Sequence, residues 1–347
     1  MSFSERLLAW WERHGRHDLP WQTDRSPYRV WLSEIMLQQT QVATAKPYFE
    51  RFTQRFPELE DLARAEIDEV LALWSGLGYY ARARNLHRSA ELCLERHDGS
   101  LPEQAEALQA LPGVGRSTAN AILAQAWDRR APILDGNVKR VLARHRAIAG
   151  WPGRSSVEKL LWQAAEELTP DNRAADYTQA IMDLGATVCR PRNPDCRRCP
   201  VAEDCRARIE GRTEELPGRR PKKTRPRRQA EYLLLRDSAG RVLLERRPPA
   251  GIWGGLWSLP EHDSLELSGE LEPLPSPAPM EHEFSHFSLR LEFHHVRLDT
   301  AIQVEDRVTA WLNIAEALER GLPRPMRALL ECLDESDPGQ AARDRLR

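Results

Sequence analysis

Two carboxylates lie in stretches where an acidic side chain would do chemistry. Glu34 interrupts the apolar helical stretch VWLSEIMLQQTQ, and Asp135 follows an apolar triplet in PILDGNVKRVLAR, where a loop passes into a helix. A carboxylate on the buried side of a helix must be paired or functional; the structural alternatives are a helix cap or an internal hydrogen bond. A pair of such groups indicates glycosidic bond cleavage, in which one acid protonates the leaving group and the other stabilises an oxocarbenium-like sugar.

The sequence LPGVGRST between these acids is a candidate phosphate-binding loop. Gly113 and Gly115 permit positive φ and close approach of the backbone. The residues after them begin a helix, whose free N–H groups and dipole favour an anion. The alternative is a plain turn between two helices. The carboxylate Asp135 farther along the chain favours the functional interpretation, in which the loop contacts a phosphate without reading sequence.

Four of the six cysteines crowd into the stretch CRPRNPDCRRCPVAEDC. Their spacing is C-x6-C-x2-C-x5-C over Cys189, Cys196, Cys199 and Cys205. Zinc and a cubane iron–sulfur cluster both fit four thiolates, and the single short C-x2-C knuckle slightly favours iron–sulfur. A disulfide is disfavoured in a reducing cytosol. The arginines within these loops indicate a rigid basic surface for phosphate contact, not redox turnover.

Charge is unevenly distributed along the chain, although the formal net charge is only -2. Residues 1–229 carry 37 Lys+Arg against 31 Asp+Glu, whereas residues 230–347 carry 13 against 21. A basic first part suits a polyanionic partner. No apolar run reaches the length of about 20 residues that a transmembrane helix needs, and the N-terminal stretch predicts an amphipathic helix, not a signal peptide. We therefore expect a cytoplasmic protein that binds no membrane.

At 347 residues the chain is long enough for two domains. Apolar residues recur at helical spacing through residues 1–210. The stretch PGRRPKKTRPRR, with seven basic residues and three prolines, predicts a linker. After it, EYLLLRD and RVLLERR flank a DSAG turn and predict a hairpin, and LRLEFHHVRLD predicts another strand. AWLNIAEALERG and PRPMRALLECLDE predict helices, so a small α+β domain is expected over about 230–335.

Together these motifs resemble those of the MutY family, the adenine DNA glycosylases of the helix-hairpin-helix superfamily. The resemblance runs nearly end to end through LPWQ, PYRVWLSEIMLQQTQVATAKPYFERF, LWSGLGYYARARNL, LPGVGRST, PILDGNVKRVL, the four cysteines, GIWGGLWSLP and HEFSHFSL. It implies a multidomain protein, with a mostly α-helical helix-hairpin-helix glycosylase that carries a [4Fe-4S] loop, followed by a small α+β Nudix-like domain.

The resemblance also implies domain boundaries. The helical catalytic region covers residues 1–210, with a six-helix module at about 22–132 and a cluster module formed by 1–21 plus 133–210. A basic, Pro-rich linker follows at 211–229. A Nudix-like lesion-recognition domain then covers 230–347.

The activity implied by the resemblance is excision of adenine mispaired with 8-oxoguanine or guanine in double-stranded DNA, by a monomer. The adenine must be flipped from the duplex, because its reactive atoms are otherwise stacked. Glu34 would protonate adenine N7 and later help to activate water, and Asp135 would stabilise or covalently trap the anomeric cation. The four cysteines would hold the [4Fe-4S] cluster. The residues implied to form the base pocket and to contact DNA are Trp21, Gln22, Leu37, Gln39, Tyr79, Gly113, Gly115, Ser117, Asn137, Lys139 and Gln179.

Ser117 separates two reaction types within this superfamily. The related bifunctional glycosylase/lyases have a lysine at this place in the motif, which attacks the sugar to form a Schiff base. A serine cannot do so, and the sequence therefore predicts a monofunctional glycosylase that leaves an abasic site. Gln179 stands where some relatives have a glutamate, and an amide offers both a donor and an acceptor to the edge of adenine.

The C-terminal domain departs from a Nudix hydrolase, because no R-E-x-x-E-E run follows GIWGGLWSLP. This counts against a nucleotide pyrophosphatase. The segment from 261 to 280 is short and rich in Ser and Pro, so a helix usual in the domain is expected to be trimmed or lost. A non-catalytic lesion sensor is a further alternative, and the two carboxylates argue against it.

The segment HEFSHF is implied by the resemblance to meet the 8-oxoguanine strand. 8-Oxoguanine differs from guanine by a carbonyl at C8 and a hydrogen at N7. A hydroxyl can donate to one and accept from the other. The residues predicted to recognise the lesion are His282, Phe284, Ser285 and His286.

Overall fold

The computed structural model describes residues 1–221, 224–265, 271–298 and 308–336. The chain divides into two compact units. The first comprises Met1–Arg64 and Asn85–Lys222, and the second comprises Ala65–Arg84 together with Lys223–Arg347. Over the described residues, no helix has both the length and the apolar character needed to cross a membrane.

Residues 1–210 form helices joined by turns and contain no described strand, as the sequence predicts. The helices are α1 (Phe3–His14), α2 (Pro20–Thr23), α3 (Pro27–Leu37), α4 (Val42–Arg55), α5 (Leu59–Arg64), α6 (Ile67–Trp74), α7 (Ala81–Arg96), α8 (Ala105–Gln109), α9 (Arg116–Trp127), α10 (Gly136–His145), α11 (Ser155–Leu168), α12 (Ala174–Asp183), the π-helical turn Leu184–Val188 and α13 (Arg206–Ile209). The N-terminal helix α1 begins at a capping box, in which Ser2 and Glu5 exchange backbone and side-chain hydrogen bonds.

The core of the first unit fixes the helix that follows Asp135. Leu7 of α1, Leu142 of α10, Leu161 of α11 and Ile181 of α12 are buried in one apolar cluster. Burial of each such side chain contributes about 1.5–3 kcal/mol. Helix α10 is therefore clamped on several sides, and its N-terminus has a defined position.

The hairpin between α8 and α9 is shaped by its glycines. Gly113 has a φ of +80°, and an added Cβ there would lie 3.1 Å from the Cβ of Asn85. A side chain would be strained at this position for both reasons. Gly115 differs, since it is the N-cap of α9 with a φ of -87° and open space around a Cβ. The Ser89 hydroxyl donates to the Pro112 carbonyl at 3.0 Å and anchors the turn.

The second unit contains a mixed β-sheet. Its described strands are β1 (Arg227–Arg236), β2 (Val242–Arg246), β3 (Trp257–Ser258), β4 (Glu272–Pro273), β5 (Met280–Glu283), β6 (Ser288–Arg297) and β7 (Thr309–Leu312). Their order is β3-β2-β1-β6-β4, with β5 paired to β6 and β7 paired to β2. Strands β1 and β6 are parallel from Arg227↔Ser288 to Arg236↔Arg297, and the other pairs are antiparallel.

The hairpin and the later strand predicted for this unit are confirmed. Strands β1 and β2 join through a turn in which Gly240 donates its N–H to the Asp237 carbonyl at 3.0 Å. Apolar side chains of these two strands, among them Leu233, Leu235 and Leu243, form a buried cluster. Residues 232–235 and 242–245 are buried without alternation, so both faces of the sheet are covered at these two strands.

One helix prediction is wrong in its first part. The stretch AWLNIAEALERG begins in strand β7, which pairs with β2 from Val242↔Leu312 to Glu245↔Thr309. Helix α14 (Ile314–Leu318) starts only after Asn313, its N-cap, which forms a capping box with Glu316. Strand pairing distant in sequence outweighs the local helical pattern here. The second predicted helix is confirmed as α15 (Arg324–Ser336).

Two other sequence predictions fall partly outside the described residues. Lys222 and Lys223 of the linker and residues 266–270 of the Ser- and Pro-rich segment are among these. The described part of 261–280 contains a 3-10 turn at His262–Ser264 and the short strand β4, and no α-helix.

Helix α6 packs within the second unit. Asp68 forms an ion pair with Arg246 at 3.0 Å and accepts a hydrogen bond from the indole nitrogen of Trp257 at 3.3 Å. The hydroxyls of Ser75 and Tyr80 both donate to the Leu322 carbonyl at 3.2 Å. The segment from 65 to 84 therefore makes specific polar contacts with strands β2 and β3 and with the loop before α15.

Candidate active site

A cavity of about 680 Å³ in the first unit collects most of the predicted pocket residues. Its size is typical of a small-molecule site. The predicted residues that line it are Trp21, Glu34, Leu37, Ser117, Asp135, Asn137 and Gln179. Further lining residues that the sequence reasoning did not single out include Arg16, Gln38, Thr118 and Arg140. Helices α2, α3, α9, α10 and α12, or the turns at their ends, bring these side chains together.

Glu34 projects from α3 into this cavity as a carboxyl group that is hard to ionise. Burial raises its pKa to about 7, a hydrogen bond from Gln125 lowers it, and the charge of Asp135 raises it. The amide nitrogen of Gln125 donates to Glu34 Oε1 at 2.7 Å. A large fraction of Glu34 is therefore protonated near neutral pH, as a general acid requires.

Asp135 is the N-cap of α10 and has a different environment. Its Oδ1 accepts from the Val138 N–H at 2.7 Å, and its Oδ2 accepts from the Asn137 amide at 3.2 Å. Burial raises the pKa of Asp135, while these two donors and the charge of Arg140 oppose that shift. The helix N-terminus adds a further favourable interaction with a negative charge. Burial raises the pKa of both carboxyls, but more hydrogen-bond donors and a positive charge oppose the shift at Asp135 than at Glu34.

Ser117 lies on the first turn of α9, and its hydroxyl is already engaged. Its Oγ accepts a hydrogen bond from the Leu134 N–H at 2.9 Å. Ser117 therefore holds the backbone that leads into Asp135. Gln179 is buried on α12, where its amide nitrogen donates to Asp183 at 2.7 Å.

Other predicted residues lie away from the cavity. Gln39 is exposed in the turn between α3 and α4, with a φ of +57°. The ammonium of Lys139 binds Glu158 at 2.7 Å. Gln22 lies behind the cavity wall in contact with Gln125 and Gln179. Tyr79, in the second unit, is 47% exposed and has a φ of +51°. Their assigned DNA contacts stay predictions.

The four clustered cysteines face one small hollow in the first unit. Cys189, Cys196, Cys199 and Cys205 line it together with apolar side chains such as Val141 and Leu184. None of the four is in a disulfide. Among the side chains that the structure describes, no group of three or more His, Cys, Asp or Glu is arranged to hold a metal ion.

The chemistry of this hollow suits an anionic centre held by thiolates. Burial and repulsion from the neighbouring thiolates raise the pKa of Cys199 to about 12, so a bound cationic core would favour loss of its proton. The guanidinium of buried Arg144 lies 3.4 Å from Cys189 Sγ and is anchored by the Arg190 carbonyl at 2.7 Å. A buried positive charge at this position offsets negative charge on a thiolate-bound cluster.

In the second unit, HEFSHF forms the end of the β5–β6 hairpin. Strand β5 ends at Glu283, so His282 is in the strand and Ser285 and His286 are exposed in the turn. Phe284 stacks on Phe287 with ring centroids 4.4 Å apart. Trp253 packs against the rings of His282 and Phe284 at 5.7 Å. Ser285 and His286 are therefore exposed polar side chains next to a cluster of aromatic rings.

Two family models match the chain. The model described as HhH-GPD superfamily base excision DNA repair protein matches residues 32–167, which include both cavity carboxylates. A model described as NUDIX domain matches residues 231–332.

Relatives that align with most of the chain match as well. The chain is 37% identical over 339 residues to an adenine DNA glycosylase of Buchnera aphidicola, covering 95% of this chain and 97% of that one. It is 38% identical over 368 residues to an adenine DNA glycosylase of Mus musculus, covering 86% of this chain and 71% of that one. Among solved structures, a thermostable thymine-DNA glycosylase aligns with a TM-score of 0.54 and 28% identity, over 60% of this chain and 95% of that one.

Proposed function

The chain belongs to the adenine DNA glycosylases of the HhH-GPD superfamily of base excision DNA repair proteins, and from this premise we propose that it releases adenine mispaired with 8-oxoguanine or guanine in double-stranded DNA. The observation that carries the proposal is the pair of carboxyls, Glu34 and Asp135, lining one cavity in unlike environments. Two such groups are what cleavage of a glycosidic bond requires.

Base flipping brings the substrate to this cavity. Both carboxyls lie inside a hollow that a stacked base cannot enter, so the adenine has to leave the duplex and insert between the side chains of α3 and α10. The cavity volume of about 680 Å³ is ample for one purine base. Gln179 lines the cavity, and beyond its bonds to Asp183 and Gln22 its amide keeps one N–H and one lone pair for the edge of the base.

In the chemical step, Glu34 gives its proton to N7 of the flipped adenine. The C–N bond then breaks, its electron pair leaves with the neutral base, and positive charge develops on the sugar. Asp135 stabilises that cation, or bonds to it, until water attacks the anomeric carbon. Glu34, now ionised, accepts a proton from that water and is restored.

The reaction ends at the abasic site, because the enzyme is monofunctional. Ser117 has no amine with which to form a Schiff base, and its hydroxyl is occupied by the Leu134 N–H. Lys139, three residues into α10, is bound to Glu158 and is assigned to phosphate contact. The hairpin LPGVG and the N-terminus of α9 are assigned to the phosphate backbone.

A [4Fe-4S] cluster bound by Cys189, Cys196, Cys199 and Cys205 would act structurally. The buried guanidinium of Arg144 and the apolar lining support such a group. When bound, the cluster supplies rigidity to a loop whose arginines Arg190, Arg192, Arg197 and Arg198 are all exposed. These side chains then form a basic surface toward DNA phosphates.

The second unit reads the partner base through the turn of HEFSHF. Ser285 and His286 are exposed there, next to the packed side-chain rings of Phe284 and Trp253. We assign the preference for 8-oxoguanine over guanine to this turn. We also assign catalysis to residues 1–210 and lesion recognition to the domain that begins at residue 230. The enzyme acts on its duplex as a monomer.

An adenine-release assay tests this function. Duplexes that carry adenine opposite 8-oxoguanine, guanine or cytosine are incubated with the wild-type protein, and strand breaks are measured with and without alkali. We expect fast release opposite 8-oxoguanine, slower release opposite guanine, little opposite cytosine, and breaks only after alkali. Equal release from all three duplexes would contradict the mispair specificity, and breaks without alkali would contradict the monofunctional assignment.

A further inference from the structure

A continuous hydrogen-bonded chain of side chains lies behind the cavity and ends on Glu34. Gln125 Nε2 donates to Glu34 Oε1 at 2.7 Å, and Gln125 Oε1 accepts from Gln22 Nε2 at 3.2 Å. Gln22 Nε2 also donates to Gln179 Oε1 at 2.5 Å. Gln179 Nε2 in turn donates to Asp183 Oδ1 at 2.7 Å. A carboxyl group therefore lies at each end, with three amides between them.

We call this series of hydrogen-bonded side chains the relay, and its end at Asp183 is held by an ion pair and further hydrogen bonds. Asp183 is fully buried and accepts from the Trp11 indole at 3.1 Å and from the Arg16 backbone N–H at 2.8 Å. It also forms an ion pair with the Arg16 guanidinium at 2.7 Å. Each of these partners gives Asp183 an N–H group, so the amide that faces it presents its N–H as well.

That constraint sets the orientation of all three amides. Gln179 directs its nitrogen to Asp183 and its oxygen to Gln22. The nitrogen of Gln22 therefore donates both to Gln179 and to Gln125. The oxygen of Gln22 accepts from Arg25 Nη2 at 2.8 Å, and Arg25 is itself paired with Asp176 at 3.3 Å. Reversing any one amide would bring two donors or two acceptors together, at a cost typical of a buried unsatisfied group.

The amide of Gln125 contacts Glu34 and does not reach the space inside the cavity. Gln125 is buried on α9, 5% exposed, and it lies outside the cavity lining. Because Oε1 of Glu34 accepts from Gln125, the proton of the neutral acid must be on Oε2. The relay thus selects one oxygen of Glu34 as the proton carrier and holds the carboxyl in one rotamer.

We propose that Gln125 is a positioning residue for the Glu34 acid, oriented from Asp183 through Gln179 and Gln22. This inference rests on the proposed function, in which Glu34 protonates adenine. The groups that act on Glu34 are Gln125 from α9 and Asp135 at the start of α10. A donor to the carboxylate favours its ionised form, so loss of Gln125 raises the pKa of Glu34.

The test is the pH profile of adenine release under single-turnover conditions. Gln125→Met keeps the length of the side chain and removes the donor. We expect the maximal rate to fall about tenfold, because the acid loses its fixed rotamer, and the alkaline limb to move up by about one pH unit. Affinity for the mismatched duplex should stay within about twofold, since Gln125 does not line the cavity.

Asn120→Ala is the matched control. Asn120 is buried on the same helix and donates to the Pro132 carbonyl at 2.6 Å, outside the relay. This variant should lose thermal stability without moving the alkaline limb. Gln125→Glu is a second variant of nearly unchanged shape, in which two facing carboxyls share a proton, and it should move the limb upward further.

The outcomes separate the inference from the function on which it rests. An active wild type whose alkaline limb is unchanged in both Gln125→Met and Gln125→Glu overturns the positioning role alone. A limb that moves equally in Asn120→Ala also overturns it, because the effect would then be structural. A folded wild type that releases no adenine overturns the proposed function and this inference together.

Discussion

The hydroxyl of Ser117 accepts a hydrogen bond from the backbone N–H of Leu134 at 2.9 Å, and Leu134 is the residue directly before Asp135. The contact joins the first turn of α9, just past the LPGVG hairpin, to the start of α10. The resemblance to the MutY family places Ser117 where glycosylase/lyases have a lysine, and its hydroxyl here tethers the backbone before Asp135. One hydrogen bond thereby couples the carboxyl that we propose to be catalytic to the hairpin that we assign to the phosphate backbone.

Ser117→Ala should loosen this tether. The Leu134 N–H, enclosed beside the cavity, would lose its acceptor, and such a loss costs about 1–3 kcal/mol. We expect a lower melting temperature and an adenine-release rate reduced by about tenfold, because Asp135 is less well fixed. Ser117→Thr keeps the hydroxyl and is the control. If the alanine and threonine variants were equally stable and equally fast, the tether would have no functional weight.

Glu34→Gln should remove the group that donates the proton and should raise the free energy of unfolding above neutral pH. The pKa of Glu34 is raised from 4.5 to about 7 in the folded protein. Its contribution to stability is therefore full below about pH 4.5 and is lost as pH rises through about 7. Glutamine cannot ionise, so the variant should gain about 1–3 kcal/mol over the wild type at pH 8 and little at pH 4.5.

The same variant should release adenine about 10²- to 10⁴-fold more slowly, the usual worth of a general acid. Wild-type release should decline above about pH 7 as Glu34 loses its proton. Urea unfolding at the two pH values and single-turnover kinetics check both parts. A wild-type rate that rises steadily from pH 6 to pH 9 contradicts the acid role of Glu34.

Residues that line the cavity are easier to predict from the sequence than residues, such as Gln125, that hold them in position. Glu34 and Asp135 stand out because a carboxylate is unusual in their apolar stretches, and Ser117 stands out only through the resemblance to the MutY family. Gln125 gives no such signal, because an amide in STANAILAQAW reads as a polar helix position. Its role depends on Gln22 and Glu34, which α9 meets only after folding.

The same limit applies to the sheet. Strands β1 and β2 are adjacent in sequence and joined by a turn that glycine signals, so local reasoning finds them. Strand β7 pairs with β2 across more than sixty residues, between Val242 and Leu312 at one end. Local helical spacing of its apolar residues therefore misleads, since the deciding contacts are distant in sequence.

The cysteine hollow should hold iron. Purified protein should be brown with about four irons per chain. Cys199→Ser should lower iron content and DNA affinity more than it slows the chemical step in the protein that remains loaded. Cys332→Ser is the matched control, because Cys332 is exposed on α15 and does not line the hollow. Colourless protein with stoichiometric zinc would contradict the cluster assignment.

The β5–β6 turn should carry the lesion preference. Ser285→Ala combined with His286→Ala should reduce the rate advantage of 8-oxoguanine over guanine by about 5- to 20-fold, within the range of one good base-edge contact. Release opposite guanine should be unchanged. Point variants are preferable to truncation after Gln229, because truncation would also remove the partners of Asp68 and Ser75.

His262→Ala is the control for that experiment, since His262 is an exposed histidine elsewhere in the second unit. It should leave the preference intact. Retention of the full preference in the double variant would mean that the lesion is read by other residues.

The most direct test of the account is single-turnover release of adenine opposite 8-oxoguanine by Asp135→Asn, with duplex affinity measured beside it. Asparagine keeps an oxygen to accept from the Val138 N–H, so the cap of α10 and the fold should persist. It removes the charge that stabilises the sugar cation, and such a loss costs about 10²- to 10³-fold in rate. We predict that loss with affinity for the mismatched duplex unchanged within about threefold. Release at the wild-type rate by a folded, DNA-binding Asp135→Asn protein would contradict the account.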